Sequence, residues 1–345
     1  MRCLTLAQAL QQAGAECYFV CRSLAGNLVE TIRQHGFQVF QLPSETRSSF
    51  DSVSSLAYES WLGTDWASDA RETAIFLGEI RPDWLVVDHY ALDRRWEIVQ
   101  REFCRRVFII DDLADRGHEC ELLLDQNLGR KMEDYAALVP AACSELMGPE
   151  FALIRPDFAQ LREDSLQRRS GNPQIIRNLM ISMGGIDQPN ATEQVLDCLT
   201  RCVLPADCRI RIVMGKHAPW LPRVRETAQK MPWRTEVLIE VGDMARLMAN
   251  SDLAIGAAGG TSWERCCLGV PTLLVVLADN QWPGAKALQS TQAAEMVGEV
   301  KDIASQLPLA WEQINMKGAL ARMSTAAGAI TDGLGASRVL HAMGF

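Results

Sequence analysis

The chain has 345 residues, of which 48% are hydrophobic and 22% charged, a composition typical of a globular protein long enough for two domains. Its net charge of −9 leaves no basic surface on average, so we expect neither nucleic acid nor anionic lipid as a partner. No apolar run reaches the roughly eighteen residues that a membrane span requires, and no signal peptide is recognisable, so a cytoplasmic location without membrane contact is expected. The eleven cysteines include no C-x-x-C pair, and neither a metal nor a cofactor is predicted.

Strands and helices alternate along the first half of the chain, which predicts an α/β domain. The chain opens directly on a helix that ends at Gly14, with no strand or cap before it, so we expect an element to be missing upstream. The other predicted elements of this half are strands at Cys17 to Cys21, Gln38 to Leu42, Trp84 to Asp88, Val107 to Asp111, Leu122 to Asp125 and Glu145 to Met147, and helices at Asn27 to His35 and Trp66 to Ile80.

The polar sequence DHYALD follows the buried strand WLVVD. Ligands of open α/β sheets bind outside the carboxyl ends of strands, which makes Tyr90 a candidate site residue. The alternative is structural, with Asp93 capping a helix and Tyr90 only packing. His89 on its own is interpreted as structural.

A polar stretch from Leu161 to Pro173 has almost no apolar content and ends in Gly, Asn and Pro. This composition predicts a linker between a domain at residues 1–160 and a second domain at 174–345. Two strand–helix halves joined in this way enclose a cleft, which is the usual place for a small ligand.

The second half begins with a strand, a glycine turn and a helix. Asn178 to Met183 is the strand, Gly184 and Gly185 make the turn, and Asn190 is expected to cap a helix at Ala191 to Arg201. Either this is an anion site or it is only a tight turn. The other predicted elements of this half are strands at Ile210 to Met214, Glu236 to Ile239 and Thr272 to Leu277, and helices at Leu221 to Lys230, Met244 to Asn250 and Ala336 to Met343.

The stretch SDLAIGAAGGTSWERCCLGVP is the strongest candidate for a phosphate site. Gly259 and Gly260 allow a tight turn and close approach of a ligand, and either Thr261 or Ser262 is expected to cap the next helix. Glu264 lies in the first turn of that helix, where a carboxylate can accept two hydrogen bonds from a ribose diol. The alternative is an ordinary strand–turn–helix with Glu264 as a surface acid. The spacing matches neither a dinucleotide G-x-G-x-x-G nor a P-loop.

The chain resembles the UDP-2,4-diacetamido-2,4,6-trideoxy-β-L-altropyranose hydrolases of pseudaminic acid biosynthesis. Six motifs spread along most of the chain carry the resemblance: MRCLTLA at the start, WLGTDW at Trp61 to Trp66, DHYALD at Asp88 to Asp93, GPEFALIRPDF at Gly148 to Phe158, SMGGIDQPN at Ser182 to Asn190, and GAAGGTSWERCCLGVP at Gly256 to Pro271.

This resemblance implies a GT-B-like architecture, in which two Rossmann-type α/β domains with parallel sheets face a cleft. UDP would lie mainly on the C-terminal domain, as part of a UDP-sugar substrate. The residues implied to bind it are Glu264 at the ribose, Gly184, Gly185, Gly259, Gly260, Thr261 and Ser262 at the diphosphate, and Asn280, Gln281 and Arg2 elsewhere on the substrate. Tyr90 is implied to line the cleft as the catalytic candidate.

The implied reaction is the attack of water on the anomeric carbon, releasing UDP and a free sugar with inversion, and its implied biological setting is flagellin glycosylation. The family pattern continues upstream as G-x-G-H-x before MRCLTLA, and its histidine is the base that the resemblance implies. Because the chain begins after that histidine, weak or absent hydrolysis is expected. The alternatives are a GT-B glycosyltransferase with a UDP-sugar donor and an inactive UDP-sugar binder.

Overall fold

Two α/β units make up the chain in a computed structural model that describes residues 1–44, 58–170 and 175–345. The first unit comprises Met1–Leu153 together with Ala336–Phe345, and the second comprises Ile154–Gly335. The chain therefore leaves the first unit at Leu153 and returns to it for its last ten residues.

The first unit contains two parallel sheets, a pair β1-β2 and a four-stranded sheet in the order β3-β4-β5-β6. Its elements are α1 Arg2–Gln12, β1 Tyr18–Arg22, α2 Val29–Gln34, β2 Gln38–Leu42, α3 Trp66–Ile80, β3 Trp84–Val87, α4 Arg94–Gln100, β4 Arg106–Ile110, β5 Leu122–Asp125 and β6 Ser144–Met147. The predicted strands and helices of this half are all present within a few residues.

The second unit is built on one six-stranded parallel sheet in the order β12-β11-β10-β7-β8-β9. Its elements are α5 Pro156–Ser170, β7 Asn178–Ser182, α6 Ala191–Leu199, β8 Arg209–Met214, α7 Leu221–Lys230, β9 Arg234–Ile239, α8 Met244–Ala249, β10 Leu253–Ala257, α9 Thr261–Cys267, β11 Thr272–Val276, α10 Trp282–Ser290, β12 Glu295–Glu299, α11 Ile303–Ile314 and α12 Ala319–Gly328. The last helix, α13 Gly335–Met343, belongs to the first unit except for its first residue.

The central strands β10 and β11 are buried along their whole length, as LAIGA and TLLVV. Parallel strands covered by helices on both faces bury both sets of side chains, which explains why these segments read as continuous apolar runs. The chain runs from β7 outward to β8 and β9, then crosses to the other side of β7 and continues from β10 to β12. The order of the strands therefore reverses between β7 and β10, and ligands of such sheets bind at the carboxyl side of this switch point.

The predicted linker is mostly a helix. Residues 161–170 belong to α5, and residues 171–174 lie outside the described part of the chain. Arg162 donates to the carbonyl oxygens of Cys267 and Gly328, while Ser165 donates to that of Leu268. The helix α5 thus packs against the ends of other helices through hydrogen bonds. It needs few apolar residues for this contact, so its composition indicated a linker instead.

The boundaries of the units also differ from the predicted ones at residues 160 and 174. The first unit ends at Leu153, and α13 packs with it although a place in the second domain was expected. Val339 and Met343 are fully buried in a cluster with Phe108, and the indole nitrogen of Trp84 donates to the carbonyl oxygen of Met343 at 3.2 Å. A helix distant in sequence thus completes the core of the first unit.

None of the helices in the described ranges is both long enough and apolar enough to cross a membrane.

Candidate functional site

Two glycine turns flank the switch point of the second unit. Gly184 and Gly185 follow β7, and the turn from Ala258 to Gly260 follows β10, which is the strand that pairs with β7. Because both strands run in the same direction, the two turns lie at the same edge of the sheet. The glycines that the family resemblance implied at the diphosphate therefore lie at one edge of the sheet.

The turn after β10 presents a row of backbone donors. Within the described residues, the N–H groups of Gly259, Gly260 and Thr261 have no hydrogen-bond acceptor. The carbonyl oxygens of Gly259 and Gly260 accept from the next two amides, those of Ser262 and Trp263, at 2.9 and 3.2 Å. A side chain at Gly260 would meet only open space. Three successive unpaired N–H groups at the start of a helix form a concave donor surface that suits an anion.

The capping predictions for both helices were wrong. No side-chain hydrogen bond from Thr261 or Ser262 caps α9, which begins after Gly260. At α6, Asn190 makes no cap bond, and the carboxylate of Asp187 accepts from Ala191 and Thr192 at 2.8 and 2.9 Å instead.

The cap on α6 removes one of the two expected anion sites. Asp187 is buried and places a negative charge against the first turn of α6, so that helix offers no positive end to a phosphate. The donors that remain near β7 are the N–H groups of Gly184 and Gly185, for which a side chain would face open space. The turn after β10 is therefore the stronger candidate for an anion site.

Glu264 lies one helical turn into α9, and only 19% of its side chain is exposed. Its Oε1 is 3.9 Å from Nε of Arg155. Burial raises the pKa of Glu264 to about 7, and the nearby Arg155 only partly offsets this effect. At neutral pH the group is thus divided between a neutral acid and a carboxylate, unlike the fully charged acceptor expected from the sequence.

Arg265 lies behind the same turn and is almost completely buried. Its Nη2 donates to the carbonyl oxygen of Ala257 at 2.7 Å and to Oγ of Ser262 at 3.0 Å, and its Nη1 contacts Oγ1 of Thr261 at 3.4 Å. Burial lowers the pKa of Arg265 to about 10, which keeps it charged at neutral pH. The turn is therefore held from within by a cation.

Asn280 and Gln281 lie in a short 3₁₀ helix, Asp279–Gln281, after β11. Oε1 of Gln281 accepts from the N–H of Leu277 at 2.9 Å, which leaves its Nε2 as a donor. A side chain at Gly259 would come within 3.7 Å of that Nε2. Gln281 thus borders the turn after β10, and Asn280 is exposed beside it.

Arg2 and Tyr90 belong to one polar cluster in the first unit. The guanidinium of Arg2 forms ion pairs with Asp88 at 2.6 Å and with Asp112 at 2.8 Å. The hydroxyl of Tyr90 donates to Oδ2 of Asp112 at 2.8 Å. Burial opposes ionisation of Asp88, but Arg2 outweighs it and lowers the pKa of that carboxyl. Burial, reinforced by Asp112, raises the pKa of Tyr90, so this hydroxyl is neutral at physiological pH and serves as a hydrogen-bonding group.

The structural interpretation of DHYALD is confirmed for Asp93 and for the packing of Tyr90, and Tyr90 as a site residue stays a prediction. Asp93 caps α4 by accepting from the N–H of Arg95 at 2.9 Å, as the structural alternative expected. Tyr90 packs against the rings of Tyr58 and Trp61, and its hydroxyl also donates to Asp112, which is paired with Arg2. Nδ1 of His89 accepts from the backbone N–H of Ala91, a bond that positions its own loop.

Three residues of these sites were missed by the sequence analysis. Arg155 lies within the motif GPEFALIRPDF, Arg265 follows Glu264 in its motif, and Asp112 comes two residues after β4. The motifs that carry the resemblance include Arg155 and Arg265, but they gave these residues no role. Arginines are usually surface residues, and no spacing indicated that Arg265 would be buried.

No group of three or more His, Cys, Asp or Glu side chains in the described part of the chain has an arrangement that could hold a metal ion.

Comparison with known proteins agrees with this architecture. Residues 180–337 match the Glycosyltransferase family 28 C-terminal domain. The UDP-2,4-diacetamido-2,4,6-trideoxy-beta-L-altropyranose hydrolase of Campylobacter jejuni is 25% identical over 264 residues, covering 76% of this chain and 82% of that protein. The spore coat polysaccharide biosynthesis protein SpsG of Bacillus subtilis is 31% identical over 122 residues, which is 35% of this chain and only 36% of that protein.

Among solved structures, MurG of Acinetobacter baumannii superposes with a TM-score of 0.71 over 99% of this chain and 94% of that one, at 16% sequence identity. At this identity the match shows the fold alone. The resemblance to the UDP-sugar hydrolases seen in the sequence is confirmed by the Campylobacter protein. The chain is thus an α/β protein of the GT-B fold, and residues 180–337 of it are similar to the Glycosyltransferase family 28 C-terminal domain.

Proposed function

We propose that this protein hydrolyses a UDP-linked 2,4-diacetamido-2,4,6-trideoxy sugar to UDP and the free sugar, with inversion at the anomeric carbon. The observation that carries the proposal is the edge of the second sheet, where the unpaired N–H groups of Gly259, Gly260 and Thr261 lie one helical turn from the half-buried Glu264. A donor row beside a carboxyl group matches a diphosphate beside a ribose diol.

The substrate assignment draws on the named activity of the Campylobacter relative, which covers most of this chain. In the proposed complex, Glu264 accepts from the ribose hydroxyls and the turn after β10 holds the diphosphate. Gln281 is placed to donate to the sugar or its phosphate through Nε2. Tyr90 is proposed as the catalytic candidate and Arg2 as a substrate-binding residue, as the resemblance implies. A role in pseudaminic acid biosynthesis, and a cytoplasmic location, belong to the same proposal.

The chemistry requires stabilisation of the charge on the leaving group, a positioned water, and an acceptor for the proton that this water loses as it attacks. A diphosphate is a good leaving group, so no carboxylic acid needs to protonate it, in contrast to an ordinary glycosidase. As the bond to the anomeric carbon breaks, negative charge grows on the departing phosphate. Preorganised N–H groups stabilise that charge without reorganisation during the reaction.

The alternative is transfer of the sugar to an acceptor, and the match to a glycosyltransferase domain favours it. The same donor row would serve a transferase, because both reactions release UDP. The two functions differ only in the nucleophile that replaces it.

The test is to incubate the protein with the UDP-linked altropyranose in H₂¹⁸O without any acceptor, and to measure UDP release and the mass of the sugar. One UDP per free sugar, with ¹⁸O at the anomeric carbon, supports hydrolysis. UDP release that appears only when an acceptor sugar is added supports the transferase, and UDP binding without turnover in either assay supports a binding protein. No affinity for UDP would contradict all three.

A further inference from the structure

Arg265 is a buried cation that no carboxylate of the described residues contacts, although the charge of the neighbouring Glu264 acts on it from a longer distance. In the described part of the chain, its guanidinium forms no ion pair, and its Nε has no hydrogen-bond partner. The acceptors it does reach are a carbonyl oxygen and two hydroxyl oxygens, all in the segment from Ala257 to Ser262. Burial of a charge without a counter-charge is costly, so such groups are normally paired.

The position of this cation is fixed by the backbone of two strands. A Cβ at Gly256 would lie 2.4 Å from Nη1 of Arg265 and 3.0 Å from the carbonyl oxygen of Ser182. Since Gly256 pairs with Ser182 across β10 and β7, the guanidinium lies beside the switch point. Because glycine has no side chain, position 256 leaves room for the guanidinium of Arg265.

The hydrogen bonds of Arg265 also orient the hydroxyl groups of Thr261 and Ser262, the first two residues of α9. A guanidinium only donates, so the oxygens of Thr261 and Ser262 must accept from it. Their own hydrogens then point away from Arg265. Thr261 is an exposed residue and the first residue of α9, so the hydrogen of its hydroxyl is available as a donor next to the unpaired N–H groups of the turn.

We propose that Arg265 is a positioning residue for the diphosphate: its buried charge is balanced by the ligand's phosphates, and its hydrogen bonds turn the Thr261 and Ser262 hydroxyls into donors. This inference rests on the proposed function, because it takes the turn after β10 as the diphosphate site. Arg265 does not touch the ligand and acts through the turn.

A purely structural role would give a different result. If Arg265 only holds the turn in shape, its loss should weaken the nucleoside and the diphosphate together, because Glu264 and the turn lie on the same helix. If Arg265 balances the charge of the phosphates, its replacement should weaken the binding of UDP and leave the binding of uridine nearly unchanged. The preference for UDP over uridine therefore separates the two roles.

The experiment measures binding of uridine and UDP by calorimetry at pH 8 to the full chain and to Arg265→Met and Arg265→Lys. Arg265→Met should weaken UDP binding by about tenfold or more, as for a lost interaction with a charged group, and uridine binding by less than about threefold. Arg265→Lys, which retains a cation, should bind UDP more tightly than Arg265→Met.

Arg162→Met provides the matched control. Arg162 also donates two hydrogen bonds to carbonyl oxygens of the second unit, those of Cys267 and Gly328, but it lies at the other end of α9. This variant should keep the wild-type preference for UDP over uridine.

The outcomes separate the inference from the proposed function. Wild-type protein that binds neither ligand overturns the proposed function. Wild-type binding of both, with an unchanged preference for UDP in Arg265→Met, overturns the role of Arg265 alone. If Arg265→Met does not fold, Arg265→Lys decides: equal losses of uridine and UDP affinity contradict the proposal, and a selective loss of UDP affinity supports it.

Discussion

Glu264 is largely buried, whereas the ribose contact proposed for it needs a charged carboxylate. Desolvation favours the neutral acid, whereas two ribose hydroxyls that both donate favour the carboxylate. Ligand binding must therefore remove a proton from part of the population near neutral pH. This coupling makes nucleoside affinity depend on pH.

We expect uridine affinity to rise about tenfold between pH 6 and pH 8, because the ionised fraction of a group with a pKa of about 7 rises from roughly one tenth to nine tenths over this range. Uridine is the appropriate probe since it carries no phosphate that titrates in this range. Calorimetric titrations at several pH values provide the measurement. An affinity independent of pH would show that the carboxylate of Glu264 does not contact the ribose.

Glu264→Gln tests the same contact at a fixed pH. The amide offers one acceptor oxygen in place of two, so UDP binding at pH 8 should weaken by about 1.5–3 kcal/mol. The variant should also lose the pH dependence of uridine binding. Equal affinities of the variant and the wild type would contradict the ribose assignment.

At the scale of elements, the helix α6 shows why capping was mispredicted. Asn190 directly precedes the helix, which is the usual place for a cap, but its backbone φ of 58° directs its side chain elsewhere. Asp187 has a φ of 47° and reaches forward over the turn to the first two amides of the helix. Sequence spacing cannot reveal such a left-handed turn, because it depends on backbone angles.

The cap can be tested by two substitutions that both suit a positive φ. Asp187→Gly should reduce the protection of α6 amides by about 1–2 kcal/mol, because two bonds to a buried carboxylate are lost. Asn190→Gly should change it by less than about 0.5 kcal/mol. Hydrogen exchange of the Ala191 and Thr192 amides measures both effects, and equal effects of the two substitutions would count against Asp187 as the cap.

A second prediction for an element concerns the end of β10. Gly256→Ala places a methyl group against Arg265 and the Ser182 carbonyl, so the second unit should be destabilised by about 1–3 kcal/mol. Gly284→Ala in α10 is the control, since it meets open space and should be neutral or stabilising. Thermal unfolding of both variants is the measurement. A Gly256→Ala protein as stable as the wild type would show that Arg265 is free to move aside.

The sequence predicted most of the regular strands and helices correctly, but it did not predict the elements and side chains that are held by polar contacts. The buried strands β10 and β11 were predicted because a continuous apolar run indicates a strand covered on both faces. The turns were predicted because glycine allows a tight turn. The helix α5 was missed since it docks through arginine hydrogen bonds, and neither an apolar pattern nor a spacing indicated that Glu264 and Arg265 would be largely or fully buried.

At the scale of the whole molecule, the fold places two kinds of charge on separate units. The first unit carries the cluster of Arg2 with Asp88 and Asp112, in which the cation is already balanced. The second unit carries the buried cation Arg265, which forms no ion pair within the described residues, and the unpaired amides near it. An anionic ligand is therefore expected to bind the second unit first and to stabilise it against unfolding.

This distribution of charge predicts that turnover needs no divalent metal. In a metal-dependent enzyme a cation neutralises the leaving diphosphate, whereas here the amides of Gly259, Gly260 and Thr261, backed by Arg265, supply the positive potential. UDP release from the altropyranose substrate should therefore continue at the same rate in EDTA. Added magnesium should leave the rate unchanged or lower it, because it competes with the protein for the diphosphate. Activity that is abolished by EDTA and restored by magnesium would mean that the amides and Arg265 are insufficient, and that the leaving group departs as a metal complex.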